Sequence, residues 1–404
     1  MPDLLPLTLS DRRPGRIRPS LDALRRALAD LGDPQLACPS VLIVGTNGKG
    51  STAAMLDAVL RGHGLRTGLT TSPHLVSVTE RIRLSGTAIE TAHLDRCLAR
   101  LARFPDLTFF ETVTAAAFLA FAEAGVDVAV LEAGMGGSWD ATRVAGSAVA
   151  GITNVGADHA SWLGDDPAIR ARDKGAALAA ADRAVLGPGL DAALVAELGA
   201  PDAVPAARLV ELGVVDDGRL EAAWDGVRFA LDRPLAGDHQ VANLQLALAL
   251  ARAVEAAGWS PHLEAERIVN ALCGLRWPGR LSEHRVGGRD VLLDGAHNAD
   301  GARALAAHLA GRPEPRHLLF SCLADKDVEA MAAALEPVVA SVVICALDDD
   351  RAMEVDRMVA AFRAAKIVTE PMAALDALPD PVVAAGSLRL VGRLLDAEQR
   401  GVGL

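Results

Sequence analysis

Val41-Leu-Ile-Val-Gly-Thr-Asn-Gly-Lys-Gly-Ser-Thr52 runs from an apolar, β-branched stretch through a glycine-rich turn to a lysine and two hydroxyl residues. That is the order of a buried strand, a tight loop and a helix start. Gly45, Gly48 and Gly50 let the backbone turn and bring its N–H groups toward an anion, with Thr46 and Asn47 completing the loop. Lys49 adds a positive charge, and Ser51 or Thr52 can meet a metal at the helix N-terminus. ATP is the expected ligand of such a loop. The spacing departs from the common Walker form. Only two residues separate Gly45 from the Gly48-Lys49 pair, and Gly50 stands between the lysine and the hydroxyl, so a generic kinase or GTPase fits less well.

Outward from this loop, short apolar runs alternate with amphipathic patterns of helical period, which is the mark of an α/β domain with a largely parallel sheet. Strands are expected at Val41–Val44, Val126–Leu131, Val149–Val155 and Ala184–Leu186. Helices are expected at Ser51–His63, Glu111–Ala124 and Pro167–Ala181, with Ser51 and Asp166 as caps. Pro201–Pro234 reads as a small β excursion. The helical pattern breaks near Trp277-Pro-Gly-Arg280, and a second α/β series follows. Its strands are Val291–Leu293, Leu318–Phe320, Val342–Cys345 and Val382–Ala384, and its helices Ala299–Leu309, Val328–Leu335 and Glu354–Ala364. The division expected is residues 1–280 and 281–404.

At 404 residues the chain exceeds what one hydrophobic core usually organises, roughly 250–300 residues. A formal net charge of −12 argues against a nonspecific nucleic-acid binder, whose affinity comes from neutralising phosphates. Anionic substrates must then be met by local clusters. Cys38, Cys97, Cys273, Cys322 and Cys345 are scattered without CxxC spacing, which points to reduced thiols rather than a disulfide framework or structural zinc. Charges interrupt every long apolar run, and the first twenty residues carry prolines and arginines rather than a signal-peptide core. The expectations are a cytoplasmic protein, no membrane or nucleic-acid partner, and a self-sufficient monomer.

Three more stretches repeat the logic of a strand followed by chemistry. Thr71-Ser72-Pro73-His74 leads to Glu80-Arg81-Ile82-Arg83; Leu131-Glu132-Ala133-Gly134-Met135-Gly136-Gly137 leads to Trp139-Asp140-Ala141-Thr142-Arg143; and Ile152-Thr153-Asn154-Val155-Gly156-Ala157-Asp158-His159 leads to Trp162-Leu163-Gly164-Asp165. Ligands gather at strand C-termini in such folds. A carboxylate at Glu132 is the hard oxygen donor magnesium prefers. Taken alone, a serine before proline is a turn former, a glutamate before glycines is a strand-end charge, and a single histidine is a structural residue.

Together with Arg172-Asp173-Lys174-Gly175, Gly237-Asp-His-Gln-Val-Ala-Asn243, Pro278-Gly-Arg280 and Asp294-Gly-Ala-His-Asn298, these motifs resemble the folylpolyglutamate synthase and dihydrofolate synthase family of the Mur ligase group. The resemblance runs in family order from residue 45 to Gly386-Ser387-Leu388. It implies an N-terminal P-loop ATPase domain and a smaller Rossmann-like C-terminal domain. It implies magnesium at Ser72, Glu132 and His159, ATP contacts at Gln240, Asn243, Arg280, Asp294 and His297, and a lysine carbamylated by carbon dioxide at Lys174. Carbamylation would turn an ammonium into a carboxylate that can face magnesium; a lysine simply paired with an acid is the plainer alternative. Thr79 and Arg143 replace the family's usual asparagines, Asp173 its glutamate, and Gly175-Ala176 its Ala-Gly. The implied reaction joins L-glutamate to dihydropteroate or to a reduced folate at the expense of ATP, with Lys49, His159 and Lys174 in catalytic roles. The competing readings are a Mur-type ligase acting on a UDP-linked muramic acid and an ATP-binding regulator without catalysis.

Overall fold

The computed structural model of the chain describes Leu9 and residues 19–157, 164, 166–215, 218–363 and 366–401. The expected ligand His159, with Asp158, Trp162, Leu163 and Asp165, lies outside the described residues. These residues group into two units. The first holds the chain up to Val155 with Asp166–Pro234 and Val241–Leu275. The second holds Gly156, Ala157, Gly164, Leu235–Gln240 and the stretch from Arg276 onward.

The first unit is built on β1 (Ser40–Val44), β2 (Thr67–Thr70), β3 (Ile82–Leu84), β4 (Thr87–Ala88), β5 (Val128–Glu132), β6 (Val149–Ile152), β7 (Arg183–Leu186) and β8 (Val204–Pro205). Their order in the sheet is β4-β3-β2-β5-β1-β6-β7-β8. From β2 to β8 all pairings are parallel, and β3 and β4 add an antiparallel edge. Every residue of β1 and β5 is buried, as a parallel strand covered on both faces requires. Ile43 pairs with both Glu132 and Gly151, Val44 with Ile152, and Thr70 with Leu131. The register therefore brings Gly45, Thr71, Ala133 and Thr153 to one edge of the sheet.

Helices fill the crossovers. α1 (Lys49–Gly62) starts two residues earlier than expected. Its cap is Gly48, held at φ 84° with no side-chain cap, so Ser51 lies inside the helix rather than capping it. α2 (Thr91–Leu101) was not anticipated. α3 (Phe109–Ala124) opens on a capping box in which Thr108 Oγ1 accepts from Glu111 N and the Glu111 carboxylate accepts from Thr108 N at 2.7 Å. Its Phe118 and Phe121 enter the core with Leu42, Leu131, Ile152 and Leu178. α4 (Pro167–Ala179) is capped by Asp166, whose carboxylate accepts from Ala168 N at 2.8 Å, as expected. The anticipated β excursion is a three-stranded antiparallel sheet of β9 (Glu211–Val214), β10 (Leu220–Trp224) and β11 (Val227–Leu231). α5 (His239–Ala256) follows.

The second unit contains β12 (Ser282–Val286), β13 (Arg289–Leu293), β14 (Arg316–Phe320), β15 (Val339–Cys345), β16 (Lys366–Val368) and β17 (Val382–Ala385), ordered β12-β13-β17-β14-β15-β16. All pairings except β12·β13 are parallel. Leu305 of α6 (Ala299–Ala310) packs with Leu292, Leu318, Phe320 and Ile344. Phe320 and Phe362 meet with ring centroids 4.8 Å apart. Cys97, Cys322 and Cys345 are buried free thiols, Cys38 is half-buried and Cys273 exposed. No helix among the described residues is long and apolar enough to cross a membrane.

Candidate active site

The loop Gly45–Gly48 lies at the C-terminal edge of β1, and its glycines answer to geometry. Gly45 has φ 142° and Gly48 φ 84°. A Cβ on Gly45 would stand 1.9 Å from Thr153 Oγ1, and one on Gly48 would stand 2.2 Å from Asn243 Oδ1. Only glycine fits either position without displacing its neighbour. The structure therefore places the Asn243 carboxamide directly on the loop. Lys49 Nζ donates to the carbonyls of Gly45 at 3.1 Å and Thr46 at 3.0 Å, so the ammonium curls over the loop. Ser51 and Thr52 are buried in the first turn of α1. Thr52 Oγ1 has no hydrogen-bond partner among the described residues. A buried hydroxyl left so costs about 1–3 kcal/mol, and a phosphate oxygen or an ion-bound water is the kind of group that relieves it.

Glu132 ends β5 and is buried. Its Oε2 accepts from Ser72 N at 2.8 Å. A Cβ on Gly50 would lie 3.3 Å from Oε2 and 3.4 Å from Oε1. The residue that interrupts the Walker spacing is thus the one that lets a carboxylate approach the first turn of α1, where the helix dipole favours negative charge. A buried glutamate carboxylate of this kind is a hard-oxygen donor suited to magnesium.

Arg81 is a cation that sequence reasoning quoted but gave no role. Its Nε donates to His74 Nδ1 at 2.7 Å, and its guanidinium lies 5.3 Å from the Phe109 ring centroid. Burial pushes its pKa down to about 10, against the pull of Glu132 and Glu80. Glu80 itself gathers the N–H groups of Leu75, Val76 and Ser77, which fixes the turn after Ser72.

The glycine-rich turn after Glu132 is held from two sides. Asp140, buried, accepts from Met135 N at 2.9 Å and from Thr142 N and Oγ1 at 3.0 and 2.6 Å. Burial raises the pKa of its carboxyl, and the bonds from Thr142 and Met135 pull it back. Asp173, on α4, accepts from Gly137 N at 3.0 Å and Ser138 N at 3.3 Å. Arg143, where the family has asparagine, donates to Ser138 O at 3.0 Å. Lys174 follows Asp173 and is 2% exposed; a Cβ on Gly137 would come within 2.9 Å of its Cα.

In the second unit, Arg280 Nη1 donates to Gly279 O at 2.8 Å and lies over Gly295, whose added Cβ would meet it at 2.1 Å. Asp294 is buried at the end of β13, and its two oxygens accept from Leu281 N and Ala296 N, each at 2.9 Å. Burial raises its pKa, opposed first by Arg280. His297 Nδ1 donates to Gly295 O at 2.7 Å, and Asn298 caps α6 through Gly301 N. Gln240 is buried in the first turn of α5. Neighbouring His239 has its pKa lowered by burial, with Asp294 acting the other way.

Among the described residues, His93, Cys97 and Glu123 bring metal-type ligand atoms within 4.8 Å of one another. Glu123 is already paired there with His93 at 2.9 Å and Arg100 at 2.8 Å. The group sits on α2 and α3.

Residues 43–172 match the Mur ligase middle domain, and residues 279–391 match the Mur ligase glutamate ligase domain. A dihydrofolate synthase/folylpolyglutamate synthase of Mycobacterium tuberculosis is 38% identical over 380 residues, 85% of this chain and 77% of that protein. The chain is also similar to a crystal structure of Mycobacterium tuberculosis folylpolyglutamate synthase complexed with ADP and AMPPCP, at 34% identity and a TM-score of 0.84, covering 93% of this chain and 94% of that one. A bifunctional folylpolyglutamate synthase/dihydrofolate synthase of Yersinia pestis complexed with AMPPNP and a Mn ion is 28% identical with a TM-score of 0.84, covering 96% of each chain. The chain spans less than half the length, 43% and 44%, of two other relatives named probable bifunctional folylpolyglutamate synthase/dihydropteroate synthases, from Haloferax volcanii and Halobacterium salinarum. With both Mur ligase domains and this likeness along nearly its whole length, the chain belongs to the folylpolyglutamate synthase/dihydrofolate synthase family of ATP-dependent glutamate ligases.

Proposed function

We propose that this chain uses ATP to join L-glutamate to a pterin-bearing carboxylic acid: dihydropteroate, a reduced folate, or both. A carboxylate resists attack by an amine because its leaving group would be oxide. Transfer of the γ-phosphoryl group gives an acyl phosphate and ADP. The glutamate amine, having lost a proton, then attacks the acyl carbon and expels phosphate. The residues support a division of labour in that reaction. Lys49 and the backbone amides at the start of α1 meet the phosphates, and Asn243 flanks the loop. Glu132 and Ser72, with His159, would hold a magnesium ion. An ion bound there supplies positive charge against the phosphate oxygens. Arg280, Asp294, His297 and Gln240 would serve the nucleotide, and a carbamylated Lys174 would add negative charge to balance the ion. We read the chain as ATPase domain 1–280 and ligase domain 281–404, working as a cytoplasmic monomer on small molecules.

The observation that carries this reading is the Glu132 carboxylate resting between Ser72 N and the Gly50 turn of α1 at the strand ends. Gly50→Ala tests it. The alanine would favour the helix by about 1 kcal/mol, which offsets crowding against Glu132 and leaves the melting temperature nearly unchanged. The magnesium concentration for half-maximal rate should rise several-fold; an unchanged metal requirement would place the ion elsewhere.

The acceptor is settled by product analysis. The enzyme is given ATP, L-glutamate and, in separate reactions, dihydropteroate or tetrahydrofolate, and ADP release is followed with mass analysis of the amide. A glutamylated product with either acceptor is expected. ADP release only with a UDP-muramoyl acceptor would favour the Mur-type alternative, and nucleotide binding without turnover would favour a regulator.

A further inference from the structure

The end of β6 carries more of the phosphate loop than any residue assigned so far. Thr153 Oγ1 donates to Asn47 O at 2.6 Å. Asn154, the next residue, meets the loop through backbone and side chain. Its carbonyl accepts from Thr46 N at 3.1 Å. Its Oδ1 accepts from Asn47 N at 3.0 Å and from Thr46 N at 3.3 Å, and its Nδ2 donates to Asn47 O at 3.1 Å. The carboxamide thus satisfies the donor and the acceptor of one peptide residue at once, as an adjacent strand would. It does so across a sequence separation of 107 residues. Among side chains of this size, only an amide presents a fixed donor and a fixed acceptor side by side.

This network leaves some amides of the loop engaged and others turned toward the helix start. The Thr46 and Asn47 N–H groups point at Asn154. The hydrogen-bond ladder of α1 begins with Thr52 N donating to Gly48 O at 2.9 Å. Between these two sets lie the amides of Gly48, Lys49 and Gly50, at the N-terminal end of the helix, where the dipole favours an anion. We infer that Asn154 is a positioning residue for nucleotide binding: its carboxamide locks Thr46 and Asn47 to the sheet, so the phosphates are received by the amides from Gly48 onward.

The inference rests on the reading of Gly45–Thr52 as the ATP phosphate loop, and the experiment separates the two. AMPPNP with magnesium is titrated calorimetrically into wild type, Asn154→Asp and Asn154→Ala, with circular dichroism and melting curves for each. Steady-state KM for ATP and for glutamate, and kcat, are measured alongside. Asn154→Asp keeps the volume and one acceptor but sets a second oxygen against Asn47 O. The expected result is AMPPNP affinity weakened about tenfold or more in both variants, a matching rise in KM for ATP, and KM for glutamate within about twofold of wild type. A residue that only stabilised the fold would lower the melting temperature and leave this split unmoved. Should Asn154→Ala fail to fold, Asn154→Asp alone decides. Wild-type AMPPNP affinity in a folded variant overturns the inference. Wild type that binds no AMPPNP overturns the loop assignment instead.

Discussion

Lys49→Ala is expected to cut ADP formation by roughly 10²–10³-fold, the range seen when one preorganised charge-stabilising donor is removed, while circular dichroism stays native. Two features make the effect large. The ammonium is the positive charge set on the loop by the sequence, and its bonds to Gly45 O and Thr46 O hold it over the anion-facing turn. Thr46 is half-buried and Gly45 buried, so water can meet the Thr46 carbonyl after the mutation and stability should fall only modestly. Lys49→Arg should not restore the rate, because a planar fork cannot replace a compact charge donating to two carbonyls of one tight turn. Turnover near that of wild type in a folded Lys49→Ala would overturn the assignment of this loop to ATP.

Much of the architecture was legible because buried parallel strands are written as short apolar runs. β1, β6, β7, β14 and β17 fall where periodicity put them, within a few residues. α1 starts two residues before Ser51 because the chain caps it with the left-handed Gly48, which leaves no side-chain signal in the sequence. β12 went unseen for a different reason. Ser282-Glu-His-Arg-Val286 alternates half-buried with exposed positions on an antiparallel edge, so its polar residues mask the strand.

The site divides similarly. Glu132, Ser72 and the loop were found because each follows a strand or contains glycines with a recognisable purpose. Asn154 and Asp173 were missed because their work is done on backbone groups distant in sequence, and nothing in their neighbours announces it. Arg81 had a signal, a charge placed directly before the apolar Ile82 that opens β3, yet its contact with His74 needed coordinates. The Gly175-Ala176 inversion of the family's Ala-Gly also has a physical cause. A Cβ on Gly175 would strike Leu198 O at 1.9 Å, so α4 can pack on the segment after helix Ala192–Glu197 only with glycine there.

That last departure bears on Lys174, one residue earlier. Asp173 spends its carboxylate on Gly137 and Ser138, which fastens α4 to the turn following Glu132 and sets Lys174 beside it. A bare ammonium has the wrong sign to face a magnesium ion, whereas a carbamate has the right one. The modification forms a bond from the neutral amine nitrogen to the carbon of carbon dioxide and releases a proton. Native mass spectrometry in bicarbonate should show one added carbon dioxide that is lost on acidification and absent from Lys174→Ala. Lys174→Ala should lose activity by roughly 10²-fold or more and recover part of it when a short carboxylic acid is supplied to occupy the vacated space. Lys174→Arg should resemble Lys174→Ala without recovery, since it keeps a cation that cannot be carbamylated and fills the space the acid needs. Full activity in Lys174→Ala with no added acid would show that Asp173 and Gly175 mark a branch whose metal is balanced by other residues.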